Sequence, residues 1–402
     1  MVTTTASPSD SRYSTSPGKG FDGVVRVSVD GFFGSGTLLF DGRAVLTAAH
    51  LFEGRSGNAT VSFETSSGTQ AVNASNVIVH PDYVGSQVNN DLALVWLSGS
   101  PPTDANRYNL YRDSNEIGQV FTLVGYGRTG TGSTGTSSNS SSTPIRLKAA
   151  NQFDDDASGL KASLGASMAF SPLPGSQLIA DFDDGTTTHD ALGRLINVNN
   201  TGLGLNEGLI APGDSGGPAF LSGLLAGVAS YTARLISSNG TSPDIDSVIN
   251  SSFGEIAAWQ RVSHYQQWID QSIRSRLPNA PIKPEDVQKT VVEGNSGTSY
   301  AYFLLQFTGV RSDASKTLSV DYATRDGTAM ANSDYIEVHG RLNLYPGENQ
   351  AVIPVEIIGD TVPEPTEFFY LDVTNPVGGS FGEGVVKLTA VRTILDNDGF
   401  MG

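Results

Sequence analysis

The sequence predicts an all-β protein built from two β domains that a short proline-rich linker joins. Of its 402 residues, 46 are Gly and 19 are Pro while only 16% are charged, which is typical of short strands connected by many turns. Short apolar or alternating runs bounded by Gly and Asp recur from residue 24 onward, as residues 24–29 and 44–47 illustrate. Three prolines within residues 278–284 end the preceding helical pattern and stiffen the chain. We therefore expect a sandwich or barrel on each side of this linker.

Four segments are expected along the chain. Residues 1–20 are rich in Ser, Thr, Pro and Gly, so they are predicted to form a flexible solvated tail. The first domain extends over residues 21–277 and the linker over residues 278–284. The second domain, residues 285–402, contains seven strand-like runs, a number typical of a β-sandwich.

Three local features interrupt the strand pattern of the first domain. Residues 129–143 are almost entirely Gly, Ser, Thr and Asn, which predicts a flexible loop. Residues 154–206 are acidic and Gly-rich with few strong strands, so we interpret them as a surface insertion. A helix is predicted over residues 253–276, where apolar residues recur at helical spacing.

Charge and composition exclude several functions. The chain has 24 Lys and Arg against 41 Asp and Glu, a formal net charge of −17, and no basic cluster, so nucleic acid is excluded as a partner. No apolar run is long enough for a membrane span, and the absence of cysteine excludes disulfides and thiolate metal sites. Residues 1–20 lack the apolar core of a secretory signal, so either a signal has been removed or the protein is not exported by that route. The oligomeric state is not readable from the sequence.

Three segments carry the residues of a nucleophilic catalytic site. They are Thr-Ala-Ala-His ending at His50, Asn-Asp-Leu-Ala-Leu around Asp91, and Gly-Asp-Ser-Gly-Gly-Pro around Ser215. A serine hydroxyl is a weak nucleophile near neutral pH, so it needs an imidazole to accept its proton and a carboxylate to orient that imidazole. We predict His50 as the general base and acid, Asp91 as its orienting group and Ser215 as the nucleophile. The N–H groups of Gly213 and Ser215 are the predicted oxyanion hole.

In this order the segments resemble the signatures of the trypsin/chymotrypsin-like serine proteases. Further matches are His-Pro-Asp-Tyr at residues 80–83, Gly-Tyr-Gly at residues 125–127 and the closing helical segment. The resemblance covers residues 21–276 apart from the loop and the insertion. It implies a trypsin-like double β-barrel, with the active site in the cleft between two six-stranded barrels. The missing disulfides depart from the family pattern and suggest a bacterial-type member.

The resemblance also implies a primary specificity pocket. The residue six positions before the nucleophile lies at the base of that pocket in the family, where an Asp selects Arg and Lys, and here it is Leu209. The pocket wall matches residues 227–232, in which Ser230 and Tyr231 are expected to line the substrate and Thr232 replaces the usual glycine. A β-branched residue narrows the pocket, and a cationic side chain against Leu209 would be desolvated without compensation. We therefore expect cleavage after small or medium uncharged residues.

The sequence is compatible with two routes of activation. Family members made as zymogens free an apolar amine that pairs with the Asp before the nucleophile, which is Asp214 here. A cut before Phe21 or Val24 would free such an amine. Otherwise another group holds Asp214 and no activation cleavage is used, which is the alternative we favour.

The second domain has its own set of short motifs. They include Val-Val-Glu-Gly at residues 291–294, Ser-Asp-Tyr at residues 333–335, Gly-Asp at residues 359–360 and Ile-Leu-Asp-Asn-Asp-Gly at residues 394–399. In this order they resemble a Calx-β domain over nearly all of residues 285–399. That resemblance implies an immunoglobulin-like sandwich, and many such domains bind calcium at one end.

Calcium is the cofactor that the resemblance implies. Calcium takes about six to eight oxygen ligands, and dense carboxylates repel one another without a cation. The alternative is that these acids cap turns and keep the domain soluble. The positions that match calcium ligands of the family are Glu293, Asp334, Asp360, Glu364, Glu367, Asp396 and Asp398.

A second acidic segment lies in the first domain. Residues 181–185 read Asp-Phe-Asp-Asp-Gly but lack the remaining ligands of an EF-hand loop. A hairpin turn is therefore expected there.

Together these features predict an exported serine endopeptidase, secreted or at the cell surface, that acts on proteins or peptides and carries a calcium-binding C-terminal module. Export is inferred from the family and from the acidic, calcium-suited chemistry. The alternative is a catalytically silent surface adhesion protein that uses a protease-like domain as a scaffold.

Overall fold

The structure is a computed structural model and describes residues 2–136, 145–168, 170–237, 240–311 and 313–398. It divides into two compact units whose main border follows Gln266, inside the last helix, whereas the predicted linker is residues 278–284. The first unit comprises Met1–Leu39, Arg43–Gly99 and Asp104–Gln266, and the second comprises Phe40–Gly42, Ser100–Thr103 and Gln267–Gly402. Among the described residues, no helix has the length and apolar character needed to cross a membrane.

The first unit is built mainly from short strands. In chain order they are β1 (Thr3–Thr4), β2 (Val24–Val29), β3 (Phe32–Leu38), β4 (Ala44–Thr47), β5 (Thr60–Thr65), β6 (Gly68–Val79), β7 (Ala93–Leu97), β8 (Val120–Gly125), β9 (Gly130–Thr131), β10 (Gly135–Thr136), β11 (Leu147–Gln152), β12 (Asp155–Asp156), β13 (Gln177–Asp181), β14 (Gly208–Leu209), β15 (Pro218–Leu221), β16 (Leu224–Arg234) and β17 (Glu255–Arg261). The helices are α1 (Ala157–Leu164), α2 (Ala191–Ile196) and α3 (Val262–Arg274), the last of which extends across the border.

Strands β2 to β7 form a closed six-stranded barrel in the order β2-β3-β4-β7-β6-β5. The alternating burial along β2 illustrates why these residues form a barrel strand. Val25, Val27 and Val29 are buried, while Arg26 and Ser28 between them are partly exposed. A period of two directs one set of side chains to the barrel interior and the other outward. The first of the two expected barrels is therefore present.

A seven-stranded sheet forms the other half of the first unit, in the order β11-β8-β15-β16-β17-β13-β12. Its core includes Trp259 and the stacked rings of Phe121 and Phe153, whose centroids lie 3.9 Å apart. The all-β class is confirmed, although this sheet has seven strands where a second six-stranded barrel was expected.

Two predictions made within this sheet are wrong. Residues 154–206 are not a surface insertion, because all five residues of β13 are buried and the strand pairs with β12 on one side and β17 on the other. The predicted helix over residues 253–276 begins only at Val262, since residues 255–261 form the fully buried strand β17. A short apolar run on two covered faces has no period that distinguishes a strand from a helix.

The predicted solvated tail is also packed against the domain. Thr3 and Thr4 form β1, which pairs with β14 on one side and β9 on the other. Val2 is 0% exposed, and the buried Tyr13 donates its hydroxyl to the carbonyl of Leu205 at 2.5 Å. These few apolar residues anchor a segment whose average composition is polar. The flexible loop predicted at residues 129–143 is wrong in its first part, where β9 and β10 pair with each other and β9 pairs with β1, and the part after residue 136 lies outside the described residues.

The second unit contains a β-sandwich. Each of the seven predicted runs forms a strand: β18 (Thr290–Val292), β19 (Thr298–Gln306), β20 (Leu318–Asp326), β21 (His339–Leu344), β22 (Gln350–Ile358), β23 (Glu367–Val377) and β24 (Lys387–Leu395). They form a five-stranded sheet, β18-β24-β23-β20-β21, and a two-stranded sheet, β19-β22. The core between them includes Phe303, Tyr335 and Phe369, with the last two rings stacked at 4.4 Å.

Candidate functional site

His50 and Asp91 are joined by two hydrogen bonds. Asp91 Oδ2 lies 2.8 Å from His50 Nδ1, and Asp91 Oδ1 accepts the backbone N–H of His50 at 2.8 Å. The Asp91 side chain is 1% exposed and that of His50 is 31% exposed. The carboxylate therefore fixes both the ring and the backbone of His50, and it leaves Nε2 as the ring nitrogen available for proton transfer.

Neighbouring polar groups hold Asp91 in place. Asn90 has a φ of +57°, and its Oδ1 accepts the Tyr265 hydroxyl at 3.1 Å. Ser230 Oγ donates to Asp91 Oδ2 at 2.5 Å. The pairing of β16 with β17 shifts by one residue at Ser230, and such a bulge redirects a side chain. Ser230 was predicted to line the substrate, whereas its hydroxyl in this structure binds the buried carboxylate.

The loop that carries Ser215 packs against the segment that leads to His50. The backbone N–H of Ser35 in β3 donates to the Ser215 carbonyl at 2.8 Å, and a Cβ at Gly216 would lie only 2.0 Å from Thr47 Oγ1. Glycine is therefore needed at position 216 for this close approach. Among the described residues, Ser215 Oγ forms no hydrogen bond with the His50 ring. Such bonds are often long in the absence of substrate.

The N–H groups of Gly213 and Ser215 have no acceptor among the described residues, although the N–H of Asp214 between them donates within its own turn. The Pro212 carbonyl accepts the N–H of Arg128 at 2.8 Å. Because the C=O and N–H of a trans peptide point in opposite directions, the Gly213 N–H points away from Arg128. Two uncommitted donors in one short turn can stabilise a developing oxyanion.

Ser35 is a supporting residue that the sequence interpretation missed. Its hydroxyl donates to the Gly213 carbonyl at 3.1 Å and accepts the Tyr126 N–H at 3.0 Å, so it ties the nucleophile loop to two neighbouring segments. The available signal was a single polar residue between two glycines in a strand.

Asp214 is completely enclosed. Its carboxylate accepts the N–H of Gly127 at 2.8 Å and the N–H of Ala211 at 2.9 Å. Burial raises the pKa of Asp214, and these backbone donors oppose that effect. Val24, one of the two suggested new N-termini, instead begins β2 and donates its N–H to the Phe21 carbonyl.

The residues predicted for the specificity pocket differ in how far the structure exposes them. Leu209 is 0% exposed and packs in the core with Val2, so it has no free surface for a substrate. The Tyr231 hydroxyl donates to Gln177 Oε1 at 2.9 Å, and Thr232 is partly exposed in β16. The base of the predicted pocket is therefore filled by the chain itself, because the N-terminal segment covers Leu209.

The seven acidic residues predicted in the second unit converge. Six of them form two groups of three, and within each group the ligand atoms all lie within 4.8 Å of one another. The first group is Glu293, Asp396 and Asp398, and the second is Asp334, Glu364 and Glu367. Asp360 joins them, since its backbone N–H donates to Glu293 Oε1 at 3.1 Å.

Electrostatics within this patch favour a cation. Burial, followed by the interaction with Asp334, raises the pKa of Glu367 to about 7. Burial together with neighbouring carboxylates raises the pKa of Glu293 and of Glu364 as well. Asp398 Oδ2 is buried and has no hydrogen-bond partner among the described residues. An all-carboxylate donor set with an unpaired buried oxygen fits the ligands that calcium prefers.

Comparison with known families gives one match in each unit. Residues 13–158 match the family model Trypsin, and residues 288–398 match the family model Calx-beta domain. The sodium/calcium exchanger Calx of Drosophila melanogaster is 40% identical over 91 residues, which are 22% of this chain and 9% of the exchanger. Human sodium/calcium exchanger 2 is 37% identical over 108 residues, which are 24% of this chain and 12% of that protein. This chain thus spans a small part of either exchanger.

Among solved structures, neuropsin, a serine protease expressed in the limbic system of mouse brain, is similar to this chain. The identity is 17% and the TM-score 0.46, over 65% of this chain and 98% of neuropsin.

Proposed function

We propose that this chain, which combines a trypsin-like domain with a Calx-beta domain, is a serine endopeptidase. The observation that carries the proposal is the buried carboxylate of Asp91, which binds both the ring and the backbone N–H of His50. A buried acid that orients a half-exposed imidazole is the arrangement needed to activate a serine. The nearby loop supplies Ser215 as that serine.

Each group has one role in the proposed reaction. Ser215 Oγ attacks the scissile carbonyl while His50 Nε2 takes the hydroxyl proton, and the N–H groups of Gly213 and Ser215 bind the oxyanion. His50 then gives its proton to the leaving amine, which breaks the peptide bond and leaves an acyl-enzyme. Water, activated by the same imidazole, releases the acid product and restores Ser215.

Labelling with a fluorophosphonate tests this function. The reagent forms a bond between phosphorus and an activated serine oxygen and releases fluoride. We expect stoichiometric labelling of the wild type, none of Ser215→Ala, and normal labelling of Ser56→Ala, which changes an exposed serine outside the site. Absence of labelling in the wild type would favour the second candidate, an adhesion protein on a silent protease-like scaffold, because a scaffold needs no activated nucleophile.

We further propose a preference for small or medium uncharged residues before the scissile bond. The support is the sealed base of the predicted pocket, where the fully buried Leu209 leaves no room and no counter-charge for Arg or Lys, together with the β-branched Thr232. A peptide library should therefore give cleavage after residues such as Ala and Val. Preferential cleavage after Arg or Lys would contradict this preference.

Calcium binding by the second unit is proposed from the seven converging carboxylates. A bound calcium ion would neutralise the repulsion within the patch, with Glu293, Asp334, Glu364, Glu367, Asp396 and Asp398 as oxygen donors and Asp360 beside them. Titration calorimetry should show heat with calcium in the wild type and reduced binding in Glu367→Gln. No heat together with an unchanged melting temperature would show that these acids serve only as turn caps and solubilising charges.

Export, to the medium or to the cell surface, is proposed from the calcium-suited acidic chemistry, since free calcium is abundant outside cells. Fractionation of the producing organism tests it. Recovery only from the cytoplasm would contradict export without affecting the proposed protease activity.

A further inference from the structure

Three carboxylates converge inside the first unit, far along the chain from the acidic patch of the second unit. Asp181 is the last residue of β13, Asp183 follows it, and Asp190 is the N-cap of α2. Their ligand atoms all lie within 4.8 Å of one another. The three residues are 1%, 1% and 2% exposed, respectively. A hairpin turn was expected at residues 181–185. That prediction is wrong, because β13 is followed by a turn that leads into the helix α2.

The oxygens of these residues are incompletely satisfied. Both carboxylate oxygens of Asp183 and Oδ1 of Asp181 are buried without a hydrogen-bond partner. The other oxygen of Asp181 accepts the Leu192 N–H at 2.8 Å, and Oδ1 of Asp190 accepts the Gly193 N–H at 2.6 Å. In the part of the chain that the structure describes, no Lys, Arg or His side chain forms an ion pair with any of the three acids. A buried, unpaired carboxylate is among the most costly groups that a fold can contain.

Further acids surround the three carboxylates. Glu207 Oε1 accepts the Asp183 N–H at 2.8 Å and Oε2 accepts the Leu203 N–H at 2.5 Å, while Asp154 Oδ1 accepts the side-chain amide of Asn200 at 2.9 Å. These two acids use their oxygens on protein donors. They add negative potential around Asp183 without supplying a counter-charge.

The electrostatics of the cluster agree with this geometry. Burial, followed by the charges of Asp181 and Glu207, raises the pKa of Asp183 to about 10. Burial also raises the pKa of Glu207 to about 7 and that of Asp154 to about 6. Such a cluster needs either bound protons or a bound cation.

We propose that Asp181, Asp183 and Asp190 form a calcium site in the first unit, distinct from the acidic patch of the second unit. Both oxygens of Asp183 and one oxygen of Asp181 lack a partner, and a cation supplies the partner that no side chain provides. The inference does not rest on the proposed protease activity.

The donor chemistry selects calcium. All the donors are carboxylate oxygens, and two ligands on opposite sides of a calcium ion are separated by about 4.6–5.2 Å, which accommodates the observed spacing. Softer metals prefer imidazole or thiolate. The nearest histidine in the sequence, His189, pairs with Asp184, and the chain contains no cysteine. A bound ion would connect the end of β13 to the start of α2 and so brace the segment that leads to Glu207 and β14.

Bound calcium per chain, measured by equilibrium dialysis with atomic emission, tests the proposal on the full-length protein. Asp183→Asn should lose one bound calcium per chain relative to its parent, both in the wild type and in a Glu367→Gln/Asp396→Asn parent that weakens the sites of the second unit. The matched control is Asp184→Asn, which changes the neighbouring acid that pairs with His189 and should keep that calcium.

Melting temperatures provide a second test, in which the variant and its parent should differ in opposite directions in EDTA and in calcium. In EDTA, Asp183→Asn should melt at or above its parent, because the amide requires neither a buried charge nor the uptake of a proton on folding. With calcium, it should lack the rise that the parent shows. Asp190→Asn, which retains an oxygen to accept the Gly193 N–H, is the second variant and should also lose one calcium. Unchanged calcium content in both variants, or a rise with magnesium but not with calcium, would overturn the calcium site and leave a proton-sharing cluster.

Discussion

Replacement of Gly213 by alanine should separate the oxyanion function from backbone strain. Gly213 has a φ of +97°, and a Cβ there would lie 2.9 Å from the Cα of Gly127 and 3.0 Å from the Phe33 ring. Strain at such a φ costs about 1–3 kcal/mol. Because one of the contacts is backbone, the peptide must also move, and its N–H leaves the position where it can bind an oxyanion. Loss of one oxyanion donor typically lowers kcat by roughly 100- to 1,000-fold.

Gly223→Ala is the matched control. Gly223 has a φ of +80°, but nothing lies within 4 Å of a Cβ built on it. Both variants should lose stability in urea unfolding, Gly213→Ala the more because of its close contacts, whereas only Gly213→Ala should lose kcat/KM and the rate of fluorophosphonate labelling. If folded Gly213→Ala retains the wild-type kcat/KM, the assignment of its N–H to the oxyanion hole is wrong.

Three further predictions concern other parts of the chain. Asp91→Asn should lower kcat by about 10⁴-fold with an unchanged circular dichroism spectrum, because an amide does not hold the His50 tautomer as the carboxylate does; a kcat near that of the wild type would refute the proposed role. The pKa of Glu367 is raised from 4.5 to about 7 on folding, so in EDTA this group's stabilising contribution is fully present below pH 4.5 and is lost as the pH rises through about 7. The melting temperature in EDTA should therefore fall across that pH range, less so in Glu367→Gln and less so with calcium. A wild-type melting temperature that does not fall would contradict the raised pKa of Glu367. Leu209→Asp should destabilise the fold by about 3–5 kcal/mol in urea unfolding without gaining cleavage after Arg, since the position is 0% exposed and offers no partner for a carboxylate; efficient cleavage after Arg would show that the position contacts substrate.

The second unit was predicted closely because its signals are local. Each strand-like run is short, alternates in polarity and ends at a turn residue, and each of the seven forms a strand. The ligand positions Glu293, Asp334 and Asp396 were identified individually from their motifs. That they form two groups of three carboxylates follows only from how the loops of the sandwich meet.

The first unit was harder to predict because burial overrides local pattern. Residues 255–261 lie within the segment predicted to be helical, yet they form a strand covered on both faces. Residues 1–20 have a disordered composition, yet Val2 and Tyr13 are buried and hold them in place. An average over a segment does not reveal that one or two side chains find a cavity elsewhere in the chain.

The sequence alone determined the chemistry available to this protein: His50, Asp91 and Ser215 in order, a glycine-rich turn, and an acidic sandwich. Those assignments depend on residue type and spacing, which a chain carries without folding. Tertiary structure alone decided that Ser230 binds Asp91, that Leu209 is sealed, and that Asp181, Asp183 and Asp190 face one another without partners. Burial, hydrogen-bond satisfaction and charge density depend on contacts between residues distant in sequence, so they exist only once the sheets have closed.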